Sequence, residues 1–188
     1  KRPVEIKSDK AILTLNNGEK INLDSNKIYS ANNVKGNGKE LLYLPKNETE
    51  QTDKQLIYNY LTIPKGGEFF VLLSVGTKVW LNSDSKLKYP VTFNEGEARK
   101  VELIYGEAYF EVSPSSKHSG DSFKVFSKKQ EVHVLGTHFN VKAYKEERLI
   151  STTLIEGKVK VNNGLNTVLL APNQKAIVSN ETTFIEVL

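Results

Sequence analysis

Apolar and polar residues alternate along most of this chain, in short stretches that end at turn residues. One stretch places Val79 and Leu81 at one set of alternate positions, and Lys78, Trp80 and Asn82 at the other. Alternation at a period of two puts one set of side chains of a β-strand in a core and the other set towards water. The pattern therefore predicts half-buried strands.

Turn signals separate these stretches from one end of the chain to the other. Asn16-Asn17-Gly18 lies between two apolar runs, where Asn-Gly favours a hairpin with a type I′ turn. Residues 24–54 are rich in Asn, Lys and Gly, so we expect a long polar loop with one or two short strands. No segment shows a convincing helical period. The predicted strands are 11–15, 20–23, 56–63, 69–74, 78–82, 86–89, 99–105, 108–112, 123–127, 130–135, 137–144, 149–155, 158–162, 168–171, 175–178 and 183–187.

This regular succession of short strands separated by turns predicts an all-β fold. We expect stacked antiparallel strands in a β-solenoid-like or jelly-roll-like sandwich, with little or no helix. Residues 1–60 would form an N-terminal hairpin and polar loop, and residues 61–188 the main β domain. A single continuous all-β unit over residues 1–188 is the favoured organisation, because 188 residues fit one domain.

Composition narrows the classes of partner. The chain has 26 Lys and Arg against 22 Asp and Glu and no cysteine, so it has neither disulfides nor thiolate metal sites. Its lysines are interleaved with acidic residues, which argues against nucleic-acid binding. The longest apolar run, residues 69–73, is far shorter than the ~20 residues of a membrane span. Since the chain begins at Lys1, we expect a fragment from which targeting and membrane segments are missing.

No constellation of residues predicts catalysis. A strand pair could bring His133 and His138 together, but further metal ligands are not evident, and both side chains are expected to face outward. Glu107 and Glu111 would lie about 13 Å apart on one strand face, wider than the carboxylate pair of a glycosidase. We therefore predict that the chain is not an enzyme and that it has no catalytic, metal-binding or cofactor-binding residues.

Exposed aromatic side chains are the candidates for partner binding. If Val79 and Leu81 face the core, Trp80, the sole tryptophan, lies on the outer face. Tyr89 and Tyr109 are the other candidates. The alternative for Trp80 is packing beneath a neighbouring strand or loop.

Short motifs follow one another in order along the chain. In number and order they resemble the periplasmic FecR domain of anti-sigma factors, of the type found in Bacteroidetes, from about Ala11 to Ala176. The resemblance is carried by residues 63–69 (IPKGGEF), 76–83 (GTKVWLNS), 99–103 (RKVEL), 106–112 (GEAYFEV), 134–141 (VLGTHFNV), 152–157 (TTLIEG) and 172–176 (PNQKA).

The resemblance implies a protein–protein signal relay in transcription regulation. Such proteins look like single-pass inner-membrane regulators whose cytoplasmic segment holds an extracytoplasmic-function (ECF) sigma factor. Their β-rich region lies in the periplasm and receives a signal from a TonB-dependent outer-membrane transporter. The cytoplasmic segment and the membrane helix would be absent from this fragment. The residues leave open a carbohydrate-binding or adhesin-like β module, in which Trp80, Tyr89 and Tyr109 form a stacking platform.

Overall fold

The computed structural model describes residues 11–45, residues 55–179 and the backbone of Thr183–Val187. Within these residues the one helical element is a 3-10 turn at Ser115–Lys117. The strands are β1 (Ala11–Thr14), β2 (Lys20–Leu23), β3 (Tyr29–Ala31), β4 (Val34–Gly36), β5 (Glu40–Tyr43), β6 (Tyr58–Ile63), β7 (Phe69–Leu72), β8 (Lys78–Leu81), β9 (Ser85–Pro90), β10 (Arg99–Glu111), β11 (Phe123–Ser127), β12 (Gln130–Val134), β13 (His138–Ala143), β14 (Ile150–Glu156), β15 (Val159–Asn162), β16 (Thr167–Leu170), β17 (Gln174–Val178) and β18 (Thr183–Val187).

The strands form two sheets that share β10. Sheet A has the order β2-β1-β6-β9-β10-β11-β12-β15-β16. Sheet B has the order β3-β4-β5-β7-β8-β10-β13-β14-β17-β18. Among the described pairs, β5–β7 and β10–β11 are parallel and the others are antiparallel, which refines the expectation of an antiparallel stack.

The core lies between the two sheets. Phe110 of sheet B packs against Phe123 of sheet A, with ring centroids 6.3 Å apart. The side-chain amide of Gln130 in sheet A donates a hydrogen bond to Thr152 Oγ1 in sheet B, at 2.9 Å. Burial alternates along β6, β8, β12 and β13 as the sequence predicts, so each of these strands turns one face to this interior. The prediction of an all-β sandwich is confirmed.

Strand β10 corrects one sequence expectation. We expected two strands, 99–105 and 108–112, separated by a glycine turn. The structure has one 13-residue strand that pairs in sheet A up to Tyr105 and in sheet B from Gly106 onward. The register of β10 against β9 shifts between Leu103 and Tyr105, an irregularity of the kind that bends a strand. Gly106, at φ +98°, then accommodates the close approach of Ser85.

The N-terminal hairpin is confirmed, but its turn type is not. The Gly18 N–H donates to Leu15 O, and the Leu15 N–H donates to Glu19 O, both at 2.9 Å. Gly18 has φ +86°, whereas Asn16 and Asn17 do not have positive φ. A type I′ turn requires positive φ at both central residues, so this loop is instead a tight turn followed by a glycine bulge.

The N-terminal strands extend the same two sheets. β1 pairs with β6 in sheet A, and β5 pairs with β7 in sheet B. The region predicted as a long loop contains three short strands, β3 to β5, while residues 46–54 of that loop lie outside the described residues. The proposed division after residue 60 falls within β6 and stays a prediction. The described part of the chain contains no helix with the length and hydropathy of a membrane span.

Candidate interaction surface on sheet B

Trp80 lies on the outer face of sheet B, as the alternation predicts. Its neighbours Val79 and Leu81 are fully buried, whereas Trp80 is 37% exposed. Trp80 therefore presents part of its indole ring to solvent.

Two further aromatic residues lie beside Trp80 on adjacent strands. Phe70 of β7 and Tyr109 of β10 are its direct cross-strand partners. The ring centroids of Phe70 and Trp80 are 5.0 Å apart, and those of Trp80 and Tyr109 are 5.6 Å apart, both with tilted planes. These spacings fall within the range of favourable aromatic pairs, so the three rings support one another. We call Phe70, Trp80 and Tyr109 the aromatic row.

Polar groups border the aromatic row on one side. Glu107 accepts hydrogen bonds from Asn140 Nδ2 at 2.8 Å and from the Tyr144 hydroxyl at 3.4 Å. Burial and the nearby Glu107 carboxylate raise the pKa of the Tyr144 hydroxyl. Burial likewise raises the pKa of Tyr109, with smaller contributions from Glu111 and Glu156.

One lysine–glutamate ion pair and one histidine–glutamate contact border the row on its other side. Lys78 Nζ lies 3.4 Å from Glu111 Oε2, and His138 Nδ1 lies 3.2 Å from Glu156 Oε2. The result is a partly apolar strip with hydrogen-bonding groups along both margins. A surface with an aromatic centre and a polar rim has the composition of a protein interaction site.

The structure corrects the expectation that Tyr89 is an exposed aromatic residue, because Tyr89 does not lie on this surface. Its side chain is fully buried between the sheets, and its hydroxyl lies 2.8 Å from that of Tyr43. Asn59 Nδ2 donates to the Tyr43 hydroxyl at 3.0 Å. Tyr89 follows the inward parity of Leu87 on β9, and that parity was the signal that placed it in the core.

The structure separates the residues that were considered for metal binding or catalysis. His133 is on the outer face of sheet A, whereas His138 is on the outer face of sheet B. Glu107 and Glu111 lie on one face of β10, and each is engaged by a different partner. Within the described residues, no group of three or more His, Asp or Glu side chains could hold a metal ion.

Sequence reasoning missed Phe70 and Arg99. The parity of Phe69 and Val71, both buried, would have placed Phe70 on the outer face. Arg99 is only 2% exposed, donates to the carbonyl oxygens of Ser113 and Asp121 at 3.0 Å each, and carries no sequence signal that distinguishes it from a surface arginine.

Comparison with known proteins places these features in a family. Residues 59–160 match the family described as FecR protein. Two crystal structures, each of a protein from Parabacteroides distasonis ATCC 8503 assigned as an anti-sigma factor, are similar to this chain. Their sequence identities are 33% and 34%, their TM-scores are 0.63 and 0.62, and the similarity covers 69% and 68% of this chain. The chain spans 60% and 59% of the length of those structures. No curated protein matches the chain in sequence.

Proposed function

The chain belongs to the FecR protein family, and we propose that it is the periplasmic signal-relay domain of a transmembrane anti-sigma factor. The domain receives a signal from a TonB-dependent outer-membrane transporter and controls an ECF sigma factor, which a cytoplasmic segment of the full protein holds. The solved relatives, assigned as anti-sigma factors, support the signalling role.

The aromatic row is the observation that carries the proposed mode of action. Trp80 and Tyr109 combine a large apolar area with few rotatable bonds, and tryptophan and tyrosine are enriched among residues that dominate binding energy. The row lies on rigid, hydrogen-bonded strands, so little entropy is lost when a partner docks. We assign it as the contact surface for the signalling domain of the transporter.

The relay works through unequal binding of two states. A partner shifts a conformational or proteolytic equilibrium only by as much as its affinities for the two states differ. The transporter's signalling domain would therefore bind the aromatic row in one state of the full-length regulator and more weakly in the other. No reactive group of this domain is required.

A binding titration tests the proposal. The chain is titrated with the periplasmic signalling domain of its cognate TonB-dependent transporter. Trp80→Ala combined with Tyr109→Ala should weaken binding at least about 30-fold, because the loss of a single hot-spot residue costs about 2 kcal/mol or more. Tyr58→Ala combined with Tyr60→Ala, on sheet A, is the matched control and should leave the affinity unchanged. Absence of binding by the wild type, or equal losses in both double variants, would refute the proposal.

A carbohydrate-binding module is the second candidate, favoured by the position of Asn140 and Glu107 beside the aromatic row. Aromatic faces stack on sugar rings, and amide and carboxylate groups bind sugar hydroxyls. A glycan array probed with the wild type and with Trp80→Ala distinguishes the two functions. Glycans retained by the wild type and lost by the variant would support the module, and an array without any bound glycan would exclude it.

A further inference from the structure

A row of three lysines and one histidine crosses the outer face of sheet A. Lys100 of β10 lies beside Lys124 of β11, which lies opposite His133 of β12, which lies opposite Lys160 of β15. Neighbouring strands are about 4.8 Å apart, so the row extends about 14 Å. We call these four residues the basic row.

The basic row lies in the middle strands of sheet A, where lysine is not needed to protect a sheet edge. Like charges on directly neighbouring strands destabilise a sheet. Lys124 is neutralised by Glu131, at 2.7 Å, but within the described residues no carboxylate forms an ion pair with Lys100 or Lys160. Burial, together with the charges of Lys124 and Lys160, lowers the pKa of His133. Two of the three lysines of the row therefore have no carboxylate partner among the described residues.

An apolar groove adjoins one end of the basic row. It has a volume of about 520 Å³ and is lined by His133, Leu135, Lys158, Lys160 and Leu169, among others. Leu135 and Leu169 are 58% and 61% exposed. Leu169 lies on β16, the last strand of sheet A, directly opposite Lys160 of β15. The exposed leucine therefore continues the line of the basic row. Exposed leucines that share a groove commonly mark an interaction site.

We propose that this face of sheet A binds an acidic polypeptide segment that carries large aliphatic side chains. One aliphatic side chain fills the groove between Leu135 and Leu169. Carboxylates that flank it contact Lys158, Lys160 and Lys100. No carboxylate of the described residues forms an ion pair with these three lysines. The surface is distinct from the aromatic row on sheet B, so one domain can hold two partner segments at once.

The chemistry of the groove favours a polypeptide over a nucleic acid. Single-stranded nucleic acids bind to grooves in which aromatic side chains stack on the bases. This groove instead exposes two leucines, which suit an aliphatic side chain. Glu131 also lies beside Lys124 in the path of a phosphate backbone. Complementary charge at the rim of an apolar pocket sets the orientation and the association rate of a peptide partner.

Fluorescence polarisation with a labelled synthetic peptide tests the proposal. The probe is a decapeptide of alternating glutamate and leucine. The comparison probes are a decaglutamate, a decapeptide of alternating lysine and leucine, and a single-stranded oligothymidylate. The protein variants are Lys160→Ala and Leu169→Ala, both at exposed positions. The matched control combines Lys35→Ala with Ile28→Ala, which removes the same kinds of exposed side chain at positions that do not line the groove.

We expect the glutamate–leucine peptide to bind the wild type more tightly than any comparison probe. Each groove variant should weaken that binding at least about fivefold, since a factor of ten corresponds to only about 1.4 kcal/mol. The control variant should bind as the wild type does. Equal binding of decaglutamate, preferential binding of the oligothymidylate, unchanged affinity of the groove variants, or no binding at all would each overturn the proposal. The test does not involve the transporter domain, so its failure is distinguishable from failure of the relay function.

Discussion

At the scale of single residues, the core contains a buried hydroxyl pair that controls stability at high pH. Tyr43 of sheet B and Tyr89 of sheet A meet between the sheets with ring centroids 5.3 Å apart in a T-shaped arrangement. Burial raises the pKa of both hydroxyls, and that of Tyr89 rises well above its usual value. The folded state therefore keeps both tyrosines neutral, because an ionised phenol has no water to stabilise it there.

This pair predicts a loss of stability in alkaline solution. Tyrosines in the unfolded chain ionise near pH 10, while Tyr43 and Tyr89 in the folded chain stay protonated to higher pH. Their contribution is fully present below about pH 10, and it falls as pH rises by up to about 1.4 kcal/mol per unit for each tyrosine. Urea unfolding at pH 7 and pH 10.5 measures the effect. Tyr89→Phe should lower stability at pH 7 by about 1 kcal/mol and show a shallower pH dependence. Parallel pH profiles for the variant and the wild type would contradict the assignment.

Arg99 holds two parts of the backbone together through hydrogen bonds from its buried guanidinium group. Its guanidinium donates to two backbone carbonyls, those of Ser113 and Asp121, and lies 5.5 Å from the ring centroid of Phe123. It thus ties the start of β10 to the segment between β10 and β11. Planar, fork-shaped donation of this kind is not reproduced by lysine.

Arg99→Lys should therefore be strongly destabilising although it conserves charge. We expect a loss of about 2–4 kcal/mol in the free energy of unfolding, from unmade hydrogen bonds and a buried charge without its partners. Thermal and urea unfolding measure it. Arg148→Lys, at an exposed position, is the matched control and should change stability by less than about 0.5 kcal/mol. Similar unfolding free energies for the two variants would refute this role of Arg99.

At the scale of elements, the passage of β10 from sheet A to sheet B depends on Gly106. Its backbone has φ +98°, and a Cβ at this position would collide with the Cα and side chain of Ser85. The Ser85 hydroxyl oxygen also accepts a hydrogen bond from the Glu107 N–H at 2.9 Å, so β9 cannot move away without breaking this contact.

Gly106→Ala tests this requirement against a glycine without neighbours. Gly164 has φ +84° and no atom within 4 Å of an added Cβ, so Gly164→Ala carries only the cost of backbone strain. That cost is about 1–2 kcal/mol. Gly106→Ala should be less stable than Gly164→Ala by at least a further 2 kcal/mol or so, because the collision adds to the strain. Urea denaturation compares the unfolding free energies of the two variants. Equal losses would show that Ser85 moves aside without cost, and would contradict the requirement for glycine at position 106.

At the scale of the whole molecule, the sequence predicted the strands well and their arrangement only in outline. Period-two alternation depends on local burial, and strand bounds such as Phe123–Ser127 and Thr183–Val187 agree with the prediction to the residue. The continuity of β10 through Gly106 and the parallel pairs depend on partners distant in sequence, which no local pattern encodes. The outward position of Trp80 followed from parity, whereas its contact with Phe70 required the register of β7 against β8.

The two outer faces of the sandwich differ in chemistry, and this difference defines the function proposed here. Sheet B presents the aromatic row between polar margins, and sheet A presents the basic row beside an apolar groove. On this basis the signalling partner docks on the aromatic row of sheet B. Trp80, as the sole tryptophan, provides a single reporter at that site.

The most direct test is ¹⁹F NMR of the chain labelled with 5-fluorotryptophan, titrated with unlabelled signalling domain of the transporter. The one resonance reports on Trp80, and calorimetry under the same conditions establishes that the complex forms. The account predicts that this resonance shifts or broadens in proportion to the bound fraction. A resonance that stays unchanged at saturation would contradict it.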